Sequence, residues 1–342
     1  MRIEQLNVSL SEQYETFLLA REETLLYQSW RYQCLIKDLL GCRQNTLLAL
    51  DSGGRLQAAL PLMAMDGPYG TVYNSSPFYG GNGGLIGENE EARLAIIYKY
   101  NEIAQQPETA ASTIIENPLD PNESDVFDYQ ILDKRIGQFT RLPDGGDSEA
   151  SLMEMYHFKT RNMIRKGLKL GVKVSIDNSA FPFLIDVHKE NMRHIGGQAK
   201  SSDFFNKIHQ TYTPNVDYKI FVAKINNEPI AALLTLYFNK TVEYFTPVIM
   251  QSHRDTQALS TIVFYAMTDS IACGYKWWNW GGTWLDQDGV YRFKSRWGTE
   301  DKPYYYRTNI RNKAILASSE GELLKAYPNF FAVPFSALLR EG

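Results

Sequence analysis

The segment from Tyr291 to Arg296 combines positive charge with aromatic rings. Arg292, Lys294 and Arg296 alternate with Tyr291 and Phe293. Ammonium and guanidinium groups bind anions, and aromatic faces attract cations and stack on planar groups. The pattern therefore favours an anionic ligand with an apolar or stackable part. The residues alone leave a second interpretation open, in which a loop has a solvated basic face and an aromatic underside.

A short apolar run that ends in two glycines precedes this segment. Residues 276–280 (Lys-Trp-Trp-Asn-Trp) predict a buried strand, and Gly281 and Gly282 follow it. Adjacent glycines leave the backbone bare, so that a ligand can approach it closely. Asp286 and Asp288 lie just downstream, where a carboxylate could take a proton from an attacking amine. Aspartates beside glycine more often form turns, and Asp286 is retained as the catalytic candidate.

A second cluster of charge precedes these elements in the chain. Residues 159–173 contain six basic residues and no acidic one, although the net charge of the chain is −4. Helical periodicity over 149–170 spreads most of these cations over half of the circumference. Arg161 and Arg165 are four residues apart and therefore neighbours, and guanidinium groups suit phosphate or carboxylate. The alternative is a solvated basic face. The cations are Lys159, Arg161, Arg165, Lys166, Lys169 and Lys173.

Composition restricts the class of protein. A chain of 342 residues, 44% of them hydrophobic, is long enough for two domains with sizeable cores. It has no apolar run of about 18 residues and no apolar N-terminal signal, so we expect no transmembrane segment and a cytoplasmic location. Three cysteines are too few for a disulfide framework or a zinc site, and no metal is expected. The acidic net charge argues against broad nucleic-acid affinity.

The order of predicted elements occurs twice. In the first half the helices are expected at 10–40, with a break near 27–29, and at 90–103, and the strands at 46–50, 55–65, 71–74 and 112–116. In the second half the helices are expected at 149–170, 183–212 and 259–273, and the strands at 173–176, 218–225, 230–238 and 242–247. This repetition predicts two α/β domains, residues 1–146 and 147–342, joined by a Pro/Gly/Asp-rich linker.

Two motifs carry a family resemblance. The first is Gly-Tyr, an apolar strand, Gly-Gly, an acidic residue, then Gly-Val-Tyr-Arg-Phe-Lys-x-x-Trp-Gly, ending at Gly298. It resembles the C-terminal signature of the Fem-like proteins (FemA, FemB and FemX). The second, Lys-x-Arg-x-x-Ile-x-Lys-Gly from Lys159, resembles a helix of the same family. These proteins are tandem-domain relatives of the GCN5-type N-acyltransferases (GNAT), and they include the aminoacyl-transferases that build peptidoglycan cross-bridges.

The resemblance implies a fold and a set of roles. It implies an α/β (α+β) chain of two tandem GNAT-like domains, each a mixed, mostly antiparallel sheet flanked by helices. The basic helix would hold the phosphates of a nucleotide-linked acceptor, and Phe293 and Lys294 would contact the acyl donor, with Lys294 neutralising an oxyanion. The site residues expected on this basis are Lys159, Arg161, Arg165, Lys166, Gly281, Gly282, Asp286, Tyr291, Arg292, Phe293, Lys294 and Arg296.

The sequence gives only indirect evidence for the identity of the acyl donor. Ordinary GNAT enzymes bind the diphosphate of coenzyme A with a glycine-containing loop, whereas residues 251–260 contain no glycine. This difference favours aminoacyl-tRNA as the donor without excluding acyl-coenzyme A, and no tightly bound cofactor is expected.

Three functional hypotheses result. The leading one is transfer of an activated acyl or aminoacyl group to an amine of a small-molecule or lipid-linked cell-wall or polysaccharide precursor. The others are an acyl-coenzyme A-dependent N-acyltransferase of exopolysaccharide biosynthesis, and a non-catalytic module that binds nucleotide-sugars or glycans. Peripheral contact with the inner membrane remains open.

Overall fold

The computed structural model describes residues 1–78, 81–120, 127–145, 147–283 and 288–339. The helices of these residues, in chain order, are α1 (Ser11–Leu19), α2 (Trp30–Leu40), α3 (Glu90–Ala104), α4 (Ser148–Met155), α5 (Phe158–Lys169), α6 (Phe181–His194), α7 (Ser202–Thr211), α8 (Ala258–Ala272), α9 (Asp288–Ser295) and α10 (Glu320–Ala326). Short 3₁₀ turns, among them Leu26–Gln28 between α1 and α2, lie between these helices.

The strands of the same residues follow in chain order. They are β1 (Arg2–Gln5), β2 (Arg43–Gln44), β3 (Leu47–Leu50), β4 (Leu56–Leu60), β5 (Met63–Gly67), β6 (Gly70–Asn74), β7 (Thr109–Ile115), β8 (Ile131–Arg141), β9 (Lys173–Ile176), β10 (Tyr218–Ile225), β11 (Glu228–Phe238), β12 (Thr241–Ile249), β13 (Trp277–Thr283) and β14 (Thr299–Ile310).

The chain forms two compact units. The first consists of residues 1–136 and 303–342, and the second of residues 137–302. The units differ from the predicted halves, because residues 303–342 group with the first unit. The second unit contains the two motifs from which the resemblance was argued.

The first unit holds a three-stranded antiparallel sheet, β1–β3–β4, and a second series of strands in the order β2–β5–β6–β7–β14. Helix α3 packs on β3 and β4, and its apolar face fills a core with Leu60 and Ile114. The single strand expected at 55–65 is instead β4 and β5, which belong to different sheets. Pro61 lies at the break, where a residue without a backbone N–H cannot continue the ladder.

The second unit has the strand order β8–β13–β12–β11–β10–β9. Strands β10, β11 and β12 form the predicted antiparallel meander, and its hairpins have Asn226, Asn227 and Asn239 at positive φ, as asparagine-containing tight turns require. Strand β13 runs parallel to β12. Helix α8 packs on β10, β11 and β12, and its apolar residues share one core with Trp278. A mixed, mostly antiparallel sheet with flanking helices agrees with the predicted fold class.

The structure departs from the sequence-based expectations of local structure at two places in this unit. The basic helix is not continuous over 149–170, because α4 ends before Tyr156 and α5 begins after His157, whose extended backbone starts a new helix. Tyr156 is buried, and its hydroxyl donates to the sulfur of Met267 at 3.0 Å. The segment with Phe293 and Lys294, for which the sequence left a solvated loop open, lies in helix α9, where Asp288 forms an i,i+4 ion pair with Arg292.

Candidate active site

The most distinctive backbone feature of the second unit is the separation of β12 from β13. The two strands pair at Thr241–Trp277, Val242–Trp278 and Glu243–Asn279 only. Strand β12 then continues to Ile249 and β13 to Thr283. Both strands continue after their shared ladder ends, and beyond Glu243 and Asn279 the pairing of the two strands stops, which leaves a gap in the backbone ladder. We call this gap the β12–β13 cleft.

A buried carboxylate and amide lie where the cleft begins. Glu243 is 2% exposed and Asn279 is 1% exposed. The side-chain amide of Asn279 donates to Oε2 of Glu243 at 2.8 Å, and its oxygen accepts from the backbone N–H of Gly281 at 2.8 Å. A carboxylate at this place is a candidate proton acceptor. Sequence reasoning missed Glu243, although an acidic residue at the start of an apolar predicted strand was an available signal.

A β-bulge lies on the β12 side of the cleft. The register with β11 shifts between Leu234 and Thr235, which leaves Phe245 as the extra residue. The ring of Phe245 stacks on Phe204 at 5.7 Å, and Nζ of Lys200 lies 5.3 Å from its centre. Bulges redirect side chains and end regular pairing, and they are frequent beside functional sites.

Lys294 closes the end of β13. Its side chain is 7% exposed, and Nζ donates to the carbonyl oxygens of Gly281 (3.3 Å) and Gly282 (3.2 Å) and to Oγ1 of Thr283 (2.9 Å). Oγ1 of Thr283 in turn donates to the side-chain oxygen of buried Gln138 at 2.9 Å. Burial lowers the pKa of Lys294 to about 8. Among the described residues, no carboxylate forms an ion pair with this ammonium group.

The other predicted residues of α9 point to different surroundings. Phe293 packs at 6.1 Å from both Trp280 and Trp297 and is therefore part of the core margin. Arg292 is exposed and paired with Asp288 at 3.0 Å. The hydroxyl of Tyr291 donates to Asp301 at 2.6 Å, an interaction that raises the pKa of this tyrosine. These side chains do not converge with Lys294 on one ligand position.

The basic helix and the α9 segment are adjacent. The backbone N–H of His157 and the hydroxyl of Thr160, at the start of α5, both donate to the carbonyl oxygen of Arg296, at 3.0 and 3.1 Å. The rings of Tyr156 and Trp297 meet edge to face at 4.9 Å. The two elements that the sequence marks as cationic are therefore neighbours in the second unit.

The four cations of α5 that were predicted to bind the acceptor divide into two groups. Nη1 of Arg161 donates to the carbonyl oxygens of Met153 (3.3 Å) and Tyr156 (2.6 Å), so this guanidinium holds the end of α4. Three others, Lys159, Arg165 and Lys166, are exposed, and the described part of the chain offers them no ion pair. Only the second group is wholly available to a phosphate.

Two glycines of the motifs, Gly167 and Gly281, lie where the structure requires glycine. A methyl group at Gly167 would lie 2.1 Å from Oγ1 of Thr261, so glycine lets α5 approach α8. Gly281 has a φ of +75°, which explains a glycine at this position. Asp286 lies outside the described residues. Within those residues, no helix is both long and apolar enough to cross a bilayer.

The chain is similar to known proteins in part of its sequence and in its fold. Residues 221–301 match the model of the FemAB family. The crystal structure of FemX matches with a TM-score of 0.72 at 14% identity, over 90% of this chain and 97% of that one. L-PGS from Bacillus licheniformis matches with a TM-score of 0.56 at 13% identity, over 97% and 99% of the two chains. No curated protein matches the sequence.

A third solved structure extends the comparison to the wider fold. A tandem GNAT protein from the clavulanic acid biosynthesis pathway matches with a TM-score of 0.51 at 10% identity, over 91% of this chain and 98% of that one. The fold is therefore the tandem GNAT-like fold. Together with the FemAB match, which includes β12, β13 and α9, the similarity to FemX confirms the Fem-like resemblance that the sequence motifs indicate.

Proposed function

We propose that the protein is an acyl or aminoacyl transferase that acts in the β12–β13 cleft. The observation that carries this proposal is the buried ammonium of Lys294, which bonds the Gly281 and Gly282 carbonyls at the end of the cleft. A buried charge whose pKa is lowered and that has no described carboxylate partner is costly, and such groups concentrate at functional sites. The FemAB match over this part of the chain supports the same conclusion.

The proposed reaction is the attack of an amine on an activated carbonyl carbon. A C–N bond forms and the amine loses a proton, while the C–O bond of an ester donor or the C–S bond of a thioester donor breaks and the donor leaves with the bonding pair and a proton, as an alcohol or a thiol. Backbone N–H groups of the cleft stabilise the negative charge that develops on the carbonyl oxygen. The Lys294 ammonium polarises the peptide groups of the Gly281 and Gly282 carbonyls, and their N–H groups become stronger hydrogen-bond donors. Glu243 is the proposed proton acceptor, and Asp286, which lies outside the described residues, stays the candidate that the sequence predicts. Positioning and charge stabilisation provide the catalysis, without a covalent enzyme intermediate.

The acceptor is proposed to be an amine of a cell-wall or polysaccharide precursor that carries phosphate. Lys159, Arg165 and Lys166 are exposed cations on α5 and would bind these phosphates. Arg161 would contribute mainly by holding α5 in place, since one of its terminal nitrogens bonds two carbonyls of the preceding turn. We expect the reaction to take place in the cytoplasm, where the proposed donors are found.

Two donors fit the proposal, aminoacyl-tRNA and acyl-coenzyme A. The glycine-free 251–260 segment favours aminoacyl-tRNA, whereas the similarity to a tandem GNAT protein favours acyl-coenzyme A. Thermal unfolding with each donor distinguishes them, because a ligand at 100 times its dissociation constant stabilises the folded state by about 2.7 kcal/mol. Stabilisation by acetyl-coenzyme A alone would support the exopolysaccharide N-acyltransferase hypothesis.

The decisive experiment measures product formation from radiolabelled donors and phosphate-bearing amine precursors. Lys294→Met and Glu243→Gln are expected to lower kcat by at least tenfold each, because they remove the polarising charge and the proton acceptor. Lys313→Gln, at an exposed position of the first unit, is the control. Precursor binding without turnover for every donor would instead favour the non-catalytic module and overturn the transferase proposal.

A further inference from the structure

One face of helix α5 is unlike an ordinary solvated helix face. Its buried side is formed by Thr160, Ile164 and Gly167. On the opposite side, at helical spacings of four, three and four residues, are Phe158, Asn162, Arg165 and Lys169, all exposed. The outer side of α5 thus combines cations with an aromatic ring.

Exposed apolar side chains accompany these cations. Phe158 is 53% exposed, Leu168 is 41% exposed and Leu170, just beyond the helix, is 48% exposed. Single exposed leucines are common on protein surfaces. Here three large exposed apolar side chains lie within thirteen residues that also carry five cations.

The charge of the segment is also one-sided. Residues 155–176 contain no aspartate or glutamate, and Lys173 extends the positive charge into β9. Elsewhere the chain carries enough acidic residues to bring its net charge to −4. A local basic surface on an acidic protein has charge complementarity with an anionic surface and orients the protein on it.

We infer that the outer side of α5, with Leu170 and Lys173, docks on the surface of an anionic lipid bilayer. Lysine and arginine attract anionic headgroups, while the phenyl ring and leucine side chains enter the boundary between headgroups and acyl chains. A nucleic acid would satisfy the cations but would offer no apolar phase to the leucines. The inference builds on the proposed acceptor-binding role of α5, because it implies that the acceptor phosphates are reached at a lipid surface.

The test is co-sedimentation of the full chain with vesicles. Vesicles of phosphatidylglycerol and phosphatidylcholine in equal parts should bind the protein at low salt, and vesicles of phosphatidylcholine alone should bind it much more weakly. The double variant Lys169→Gln/Lys173→Gln should lose roughly tenfold or more in affinity for the anionic vesicles. Leu168→Ser/Leu170→Ser should also bind them more weakly, and its remaining binding should be more sensitive to salt.

Matched controls separate docking from a general loss of charge or of folding. Lys313→Gln/Lys325→Gln removes the same charge from exposed positions of the first unit and should bind vesicles like the wild type. Far-ultraviolet circular dichroism and thermal unfolding of each variant establish that it is folded. Lys169 and Lys173 are outside the proposed acceptor-binding group, so transferase activity on a water-soluble precursor should survive in their variant.

Several outcomes would overturn the inference. Recovery of the wild type in the supernatant with anionic vesicles would do so, and so would binding of the Lys169→Gln/Lys173→Gln variant to these vesicles with the affinity of the wild type. A loss of affinity for bulk tRNA without any change in vesicle binding would identify a nucleic-acid surface instead. Each of these results leaves the transferase proposal intact. That proposal is tested separately, by the turnover of the Lys294 and Glu243 variants in the absence of vesicles.

Discussion

Helices α5 and α9 carry similar cations and use them in opposite ways. On α5, Arg165 and Lys166 extend from an exposed face. On α9, Lys294 is buried against carbonyl oxygens, and Arg292 is paired with Asp288 four residues earlier. The two helices are adjacent, so the different exposure of their cations does not come from distant places in the fold.

The difference shows which charges can meet a ligand directly. An exposed cation without a described partner keeps its full charge for a phosphate. A buried lysine has exchanged water for three fixed oxygen atoms, and it acts on a ligand through the peptide groups that it orients. We therefore assign α5 to binding and Lys294 to the shape and polarity of the cleft, and the following variants test that assignment.

The largest contrast is expected between Lys294→Ala and Arg165→Ala. Lys294→Ala leaves a cavity and two carbonyl groups without their donor, so the free energy of unfolding should fall by about 2–4 kcal/mol. Arg165→Ala should change it by no more than about 0.5 kcal/mol. Lys294→Met also removes the donor, but it keeps most of the volume and relieves the cost of a buried charge, so it should remain closer to the wild type in stability than Lys294→Ala. Urea unfolding measures all three, and equal effects of the two alanine variants would refute the assignment.

Stability against pH tests the burial of the same lysine. The pKa of Lys294 is about 8 in the folded protein and near 10.5 when the chain unfolds. The unfolded state therefore holds more protons between these values, and stability should rise with pH from about 8 to 10.5 by a few kcal/mol relative to Lys294→Met. Below pH 8 the difference between the two proteins should not vary with pH. A flat difference up to pH 10.5 would mean that the ammonium is solvated.

Gly167→Ala tests how closely α5 must approach α8. The added methyl group would overlap Oγ1 of Thr261, and the expected loss is about 1–3 kcal/mol despite the better helix propensity of alanine. Thr261→Ala should restore most of that loss in the double variant. Gly289→Ala on α9 meets no atom of the described residues within 4 Å and serves as the control, with an expected gain of up to about 1 kcal/mol. Additive effects of Gly167→Ala and Thr261→Ala would argue against the contact.

The smallest difference in the free energy of unfolding is expected between Arg161→Ala and Arg165→Ala. It distinguishes a structural cation of α5 from one that is available to a ligand. It removes two hydrogen bonds to the end of α4, so a loss of about 1–2 kcal/mol is expected, against little change for Arg165→Ala. Binding of a phosphate-bearing precursor should weaken more in Arg165→Ala than in Arg161→Ala when both are folded. Isothermal titration calorimetry provides the measurement, and the reverse order would make Arg161 the principal phosphate ligand.

Much of the second unit could be predicted from its sequence. Strands β9 and β10 lie where alternation of apolar residues predicts them, and the meander turns at Asn226–Asn227 and Asn239 because asparagine tolerates positive φ. The motif at Gly281 and Gly282 was also correctly associated with the end of a strand. These features depend on local residue types, which a single sequence contains in full.

Other features could not be predicted, because they depend on contacts distant in the chain. The interruption of the basic helix at Tyr156 depends on burial against Met267 of α8, and the helical conformation of α9 was not predicted, because its charged and aromatic residues alternate without helical periodicity. Glu243 was missed because its importance comes from Asn279 on the neighbouring strand. For Tyr156 and for Glu243 the deciding partner is more than thirty residues away along the chain.

The amino-acid sequence by itself determined that this protein has a basic helix, a glycine-ended strand and a cationic aromatic segment, because periodicity and turn chemistry are local properties. Only the tertiary structure decided that Lys294 is buried on carbonyl oxygens, that Arg161 holds a helix end, and that Arg165 and Lys166 remain exposed. The physical reason is that the action of a charged side chain depends on its burial and its partners, and both are set by how distant segments pack.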